Sequence, residues 1–497
     1  MNLKIQRRKL IILCLAAILG GCIAQPFIFA RDYPPTVPPP EAINFHMPAV
    51  HQLPNGLRII LVERHDVPIV RLYAIVQVGA EADPTKLPGT ASMVAGLLPE
   101  GTQHRSAYQI AQAIDRAGGS IDTGAGWNQS YANVSVLSNH TALAFDLLAD
   151  LLIHAAFAPD EVKRIRKQTL SALDIANKDS GYVADQVLRE TLFAGTDYAH
   201  SEDGTHKSIE RITRKDLIEF HTQYYVPSRT ILAVVGDIDE PECLRLATRF
   251  LGGWKNESNA PPAPRARPHT LHERQVIVVD DPDAVQTVIR VANLGVPRSS
   301  PDYFALTIAN QVLGGPAANR LFEVLRTEHG LVYGASSDLD CYTSLGSWLA
   351  KTSTRSADTI KATELVLSEV ARMRDRPVQQ WELQNARDYL VGHEALQFES
   401  ASQVANQVLE MMLNHLPDDY WNKYAQQIRS LSADDVLAAT RKYLNPDDDV
   451  VVLVGNLAAF NNGLKKLGHV RVVPISEASR AFVKPQKGIA DYPTGGD

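Results

Sequence analysis

At 497 residues the chain is longer than one hydrophobic core usually serves, so two to four domains of ordinary size are expected. With 45% hydrophobic and 21% charged residues and a mean hydropathy of -0.13, it is too apolar for a disordered chain and too polar for a multi-span membrane protein. The net charge of -7 includes Lys4, Arg7, Arg8 and Lys9 and no acid before Cys22; without those four cations a chain beginning at Cys22 carries -11, which disfavours non-specific nucleic-acid binding.

Those cations precede the apolar run Leu10 to Leu19 and then Gly20-Gly21-Cys22, the three regions of a secretory signal over residues 1–21. The run is too short for a comfortable membrane span. Leu19-Gly20-Gly21-Cys22 resembles a bacterial lipobox, in which Cys22 is acylated and becomes the mature N-terminus; cleavage after Ala24 or Ala30 is the competing reading. The first implies a periplasmic lipoprotein that meets the membrane only through its lipid anchor, the second a soluble periplasmic protein. Residues 22–45, with Pro34, Pro35, Pro38, Pro39 and Pro40, read as a stiff spacer.

In the body, Asn55-Gly56 carries a hairpin signal between short apolar strands. Arg71 to Gly79 reads as a strand, Ser106 to Ala117 as a helix, Ser120 to Leu137 as a strand pair, and His140 to His154 and Pro159 to Asn177 as helices. A proline-rich linker over 257–269 separates a first domain, 46–256, from a second, 270–475, and a polar tail covers 476–497. Cys243 and Cys341 allow one bridge at most and are expected as two buried thiols. Asp447-Asp448-Asp449 reads as a solvated turn before a strand, because it lacks the spaced oxygen ligands of a calcium loop.

The two domains read as copies. Thr213 to Ile238 aligns without a gap on Ser432 to Leu457, matching Asp216 with Asp435, Tyr224 with Tyr443, Pro227 with Pro446 and Gly236 with Gly455. In each copy a Ser or Thr opens a helix, a proline ends it, and an apolar strand runs into glycine. The expected fold is α+β: two homologous domains, each a mostly antiparallel sheet covered by helices on one face.

The segment Gly89-Thr-Ala-Ser-Met-Val-Ala-Gly-Leu-Leu-Pro-Glu-Gly101-Thr102 resembles the signature helix of the insulinase, pitrilysin and mitochondrial-processing-peptidase family, and the likeness runs from about Pro48 to Val473. Active members of that family carry Gly-x-x-His-x-x-Glu-His, whose two histidines, one turn apart, bind zinc while the glutamate activates water. Here Ser92, Ala95 and Gly96 stand at those three positions, and Leu170-Ser171-Ala172-Leu173 stands where a further glutamate ligand is expected. Hydroxyl, methyl and hydrogen cannot replace imidazole and carboxylate on zinc, so no metal is expected in this chain. Nor do the fifteen histidines offer a substitute: His272 and His393 lack a second histidine at ligand spacing, and these two, with His200 and His206, read as surface residues.

The segment from Val312 to Ser336 resembles the family's C-terminal active-site segment, where Gly314-Gly315 precedes a helix and Arg326 and Tyr333 keep the spacing of the pair that reaches toward the zinc of a facing domain. A guanidinium and a phenol there stabilise the oxygen that gains charge as water adds to a peptide carbonyl. Taken alone, Arg326 reads as a solvated helix residue and Tyr333 as a half-buried strand aromatic; Gly314-Gly315 reads equally as a helix end or as a substrate-guiding loop. The resemblance implies a zinc-deficient subunit of a heterodimeric peptidase that degrades or processes unfolded peptides, not self-sufficient as an enzyme, with zinc in a sister subunit. The alternative is a non-catalytic scaffold or peptide-binding protein of the same fold.

Overall fold

The computed structural model describes residues 45–255, 273–316 and 319–478. The signal segment, Cys22, most of the spacer, the 257–269 linker, His272 and the tail beyond residue 478 lie outside them.

Two six-stranded sheets carry the fold. The first takes β1 (Val50–Gln52), β2 (Arg58–Glu63), β3 (Ile69–Val76), β4 (Ser120–Ala125), β5 (Ser130–Leu137) and β6 (Thr230–Gly236) in the order β1-β2-β6-β3-β5-β4. The second takes β7 (Gln275–Asp280), β8 (Gln286–Gly295), β9 (Val332–Cys341), β10 (Gly346–Arg355), β11 (Val450–Gly455) and β12 (His469–Pro474) in the order β12-β7-β11-β8-β10-β9. Five positions correspond one to one. The sixth is filled differently: β1 pairs antiparallel with the strand that follows it, whereas β12 comes from the far end of the chain and runs parallel to β7. Only β2 with β6 in the first sheet, and β7 with β11 and β12 in the second, pair parallel.

The helices used below are α1 (Thr90–Leu97), α2 (Ala107–Arg116), α3 (Thr141–His154), α4 (Pro159–Ala176), α5 (Ser180–Leu192), α6 (Arg214–Tyr224), α7 (Glu240–Leu251), α8 (Tyr303–Gly314), α9 (Thr359–Asp375), α10 (Gln380–Leu396), α11 (Ala401–Leu413), α12 (Tyr420–Ser430) and α13 (Ala433–Tyr443). The duplicated segment forms α6 and β6 in one copy, α13 and β11 in the other. Thr213 with Asp216, and Ser432 with Asp435, close the same capping box at each helix start.

Each half's own helices cover one face of its sheet, and the second face receives a helix from the other half. Val183, Ala184, Val187, Leu188 and Leu192 of α5 pack among Ile277, Val279, Ala292, Val450, Val452 and Val454 of the second sheet. Ala405, Val408 and Met411 of α11 join a core with Ile60, Ile231, Ala233 and Val235 of the first. Each large aliphatic side chain so buried stabilises by roughly 1.5–3 kcal/mol. This two-sided cover explains the unbroken apolar runs of β6 and β11, buried along their whole length: a strand with one wet face would alternate.

Three expectations are corrected. Asp449 is not in a solvated turn: it is fully buried beneath Arg274, whose Nε donates to Asp449 Oδ1 at 2.7 Å. His200 is not a surface residue, because its ring packs 5.2 Å from Trp127 and burial pushes its pKa down. Cys341 is half-buried rather than buried, though it and the buried Cys243 are both free.

The α5 crossing also buries a carboxyl. Burial pushes Glu190 up to about 8, against the pull of Arg471. Its folded pKa therefore lies above the ordinary value of 4.5, so the stability tied to its proton is complete below that value and is lost as pH rises toward 8. Glu190→Gln should melt above wild type by about 2 °C or more at pH 8 and show no such gain at pH 4.5. Equal melting differences at both pH values would refute the assignment.

Candidate functional site

Helix α1 begins at Gly89, whose left-handed φ of 90° only glycine adopts freely and where a Cβ would lie 2.9 Å from the Asp203 carbonyl oxygen. A glycine has no side chain with which to cap the helix. Asp83 supplies the cap from upstream, accepting from the Gly89 N–H at 2.6 Å and the Ala91 N–H at 2.8 Å. The sequence signal was available: an Asp ahead of a helix that opens on glycine.

Ser92 and Gly96 lie one turn apart on the half-buried face of α1, and Ala95 is fully buried. A Cβ on Gly96 would meet nothing within 4 Å, so the helix leaves space there. On α4, which packs against α1, Leu170 is half-buried, Ser171 and Ala172 are exposed, and Leu173 is buried. The two helices pack as the resemblance implies for a metal cradle, and the hydroxyl, methyl and aliphatic groups they carry at those positions do not fit zinc. Among the described residues no group of three or more His, Cys, Asp or Glu side chains is disposed to hold a metal.

In the second half, α8 ends at Gly314-Gly315. Neither glycine has a left-handed φ; both are explained by crowding. A Cβ on Gly314 would lie 2.3 Å from the Ser337 nitrogen on β9, and one on Gly315 would lie 2.5 Å from Gln311 Oε1. Their close packing sets α8 against β9. The chain then re-enters a helix at Arg320–Phe322 and widens into one π-helical turn over Glu323–Glu328, which carries Arg326. Tyr333 sits at the start of edge strand β9, beside a break in register with β10 between Thr352 and Thr354.

The structure brings Arg326 and Tyr333 together. The guanidinium carbon stands 4.9 Å from the centre of the phenol ring, and Nη1 donates to the Val332 carbonyl at 3.1 Å. Tyr333 is 87% exposed rather than half-buried, and Arg326 is exposed as well. The Arg326 guanidinium thus lies between the Val332 carbonyl and the Tyr333 ring.

A residue pair that sequence reasoning missed supports this segment. Arg320 grips Glu382 of α10 through two hydrogen bonds of 2.6 and 2.7 Å, with both side chains only 6% exposed. The positions are 62 residues apart, and no local pattern joins them.

The family described as "Insulinase (Peptidase family M16)" matches residues 58–205, and "Peptidase M16 inactive domain" matches residues 211–390. The chain belongs to the M16 family. This M16 chain is 27% identical to an uncharacterized zinc protease of Mycobacterium leprae over 81% of its own length and 90% of that relative. It is 23% identical to the non-peptidase homolog YmxG of Helicobacter pylori, covering 83% of this chain and 94% of that one. The crystal structure of a peptidase M16 inactive domain from Pseudomonas fluorescens superposes with a TM-score of 0.76 at 27% identity, covering 82% of this M16 chain and 98% of the other.

Proposed function

We propose that this protein is the zinc-deficient subunit of a heterodimeric peptidase acting on unfolded peptides in the periplasm, held at the membrane through an acylated Cys22. The observation that carries the reading is the contrast between the two halves. Ser92, Ala95 and Gly96 offer no zinc donors, while Arg326 and Tyr333 stand preassembled and open to solvent. A sister subunit of the same family would contribute the metal. Arg326 and Tyr333 would donate to the carbonyl oxygen under attack, where each such donor contributes roughly 3 kcal/mol at the transition state.

The sheet order supports peptide binding. β4, against which α1 packs, and β9, which carries Tyr333, each end a sheet and are paired with no further strand among the described residues. An extended peptide can add to such an edge through backbone hydrogen bonds, which favours unfolded substrates over folded ones.

The test is to combine the purified chain with a zinc-bearing M16 sister from the same cell and to follow cleavage of an unstructured peptide. Arg326→Ala and Tyr333→Phe should each lower kcat/KM by about 100-fold while the partner's zinc content stays constant. Turnover unchanged by both substitutions would overturn the proposed role. A peptide-binding protein without catalysis is the second reading, favoured by the name of the H. pylori homologue; it predicts peptide binding and no cleavage with any zinc-bearing sister.

A further inference from the structure

We propose that His104 and His154 form a two-imidazole site for a transition-metal cation, with copper(II) bound in preference to nickel(II) and zinc(II). The site makes no use of the Ser92, Ala95 and Gly96 positions.

The loop after Gly101 is fastened to the end of α3 by backbone pairing. Thr102 bridges Ala155, and the Gln103 N–H donates to the His154 carbonyl at 2.8 Å. This places the His104 and His154 rings 4.6 Å apart, centre to centre, at 80° to one another. Two imidazoles bound to one ion through metal–nitrogen bonds of about 2.0–2.1 Å, at an angle near 90°, have ring centres about 4.5 Å apart. The observed separation, that of an edge-to-face ring contact, equals the one that two such imidazoles require.

The orientation of His104 is fixed from behind. Its Nδ1 is 2.7 Å from Asp150 Oδ1, a contact that in the neutral ring puts the proton on Nδ1 and turns Nε2 into the acceptor. Asp150 is 3% exposed and also accepts from Thr102 Oγ1 at 2.8 Å and Arg105 Nη1 at 2.7 Å. A carboxylate that holds the far nitrogen of an imidazole is the arrangement that orients metal-binding histidines. His104 is 57% exposed, so an ion has access, and Asp146 with Asp150 outweighs the single positive charge of Arg105.

Neutral imidazoles select first-row transition ions over magnesium and calcium, and among those they follow the order that places copper(II) highest. With two protein ligands and water completing the shell, binding is weaker than at a four-donor structural zinc site.

The purified chain, without a polyhistidine tag, would be titrated with CuCl2 by calorimetry, with electron paramagnetic resonance of the bound ion. Wild type should bind one copper whose spectrum shows coupling to two nitrogens. His104→Ala, His104→Asn and His154→Ala should each lose at least tenfold in affinity together with that coupling. Asp150→Asn should keep the two-nitrogen spectrum and bind about tenfold more weakly. NiCl2 and ZnCl2 should bind more weakly than copper, and MgCl2 should give no heat. Asp150 keeps Thr102 and Arg105 as donors in every His104 variant, and the His104→Asn amide offers a further one, so affinity lost by a variant that still melts as a folded protein reads as a lost ligand. Copper affinity and nitrogen coupling unchanged in the His104 and His154 variants would overturn the site.

Discussion

Replacing Arg320 with alanine should destabilise the protein by about 3–5 kcal/mol, because it leaves the Glu382 carboxylate in the core without its fork of donors. The loss is one-sided. Glu382 keeps the Gln379 N–H at 2.7 Å and the charge of Arg372, too little to offset the desolvation of a full charge. Arg320 Nη1 also lies 3.1 Å from Met373 Sδ on α9, so the truncation opens space between α9 and α10. Arg320→Met paired with Glu382→Gln should cost clearly less than Arg320→Ala alone, since it removes both charges and refills the volume. Denaturant midpoints measured at constant slope would check this, and a loss below about 1 kcal/mol for Arg320→Ala would contradict it. Arg320 opens the segment that leads into the π-helical turn, so peptide cleavage with a zinc-bearing sister should fall along with stability.

Gly236→Ala is expected to be as damaging for a different reason. The glycine ends β6 at φ 129°, opposite Val70, and a Cβ there would lie 1.9 Å from the Ile69 carbonyl oxygen. No rotamer relieves a clash with backbone, so β3 and β6 must separate at that end. Strain and lost pairing together should exceed about 3 kcal/mol. Gly96→Ala is the control. Gly96 is helical with open space where a Cβ would go, and the change should stabilise by about 0.5–1 kcal/mol. Thermal melts of the two variants should move in opposite directions; a common direction would show that local geometry does not govern these glycines.

Much of the fold was legible in the sequence. Ser106 caps the helix read after it, Thr213 and Ser432 mark the repeat, and the Asn55-Gly56 turn separates β1 from β2. These signals are local: a cap or a turn is written within a few residues. The expected donor pair, Arg326 and Tyr333, is implied by the family resemblance, but their mutual contact and the exposure of Tyr333 come from the π-helical turn and the break in register, which no spacing encodes. Asp449 reads as solvated because its acidic run lacks the spaced ligands of a calcium loop, and only the fold sets Arg274 over it. The crossing of α5 and α11 was hidden for the same reason, although the unbroken apolar runs of β6 and β11 hinted that both faces of each sheet are dry.

That crossing limits how the molecule can move. With α5 lodged on the second sheet and α11 on the first, and with Arg290 of β8 held by Asp185 of α5, the halves are interlocked like clasped hands. Prising them apart would expose two greasy surfaces to water at once. Spreading the lobes of a single chain would forfeit both contacts together, so a gape wide enough to admit a polypeptide arises at lower cost elsewhere.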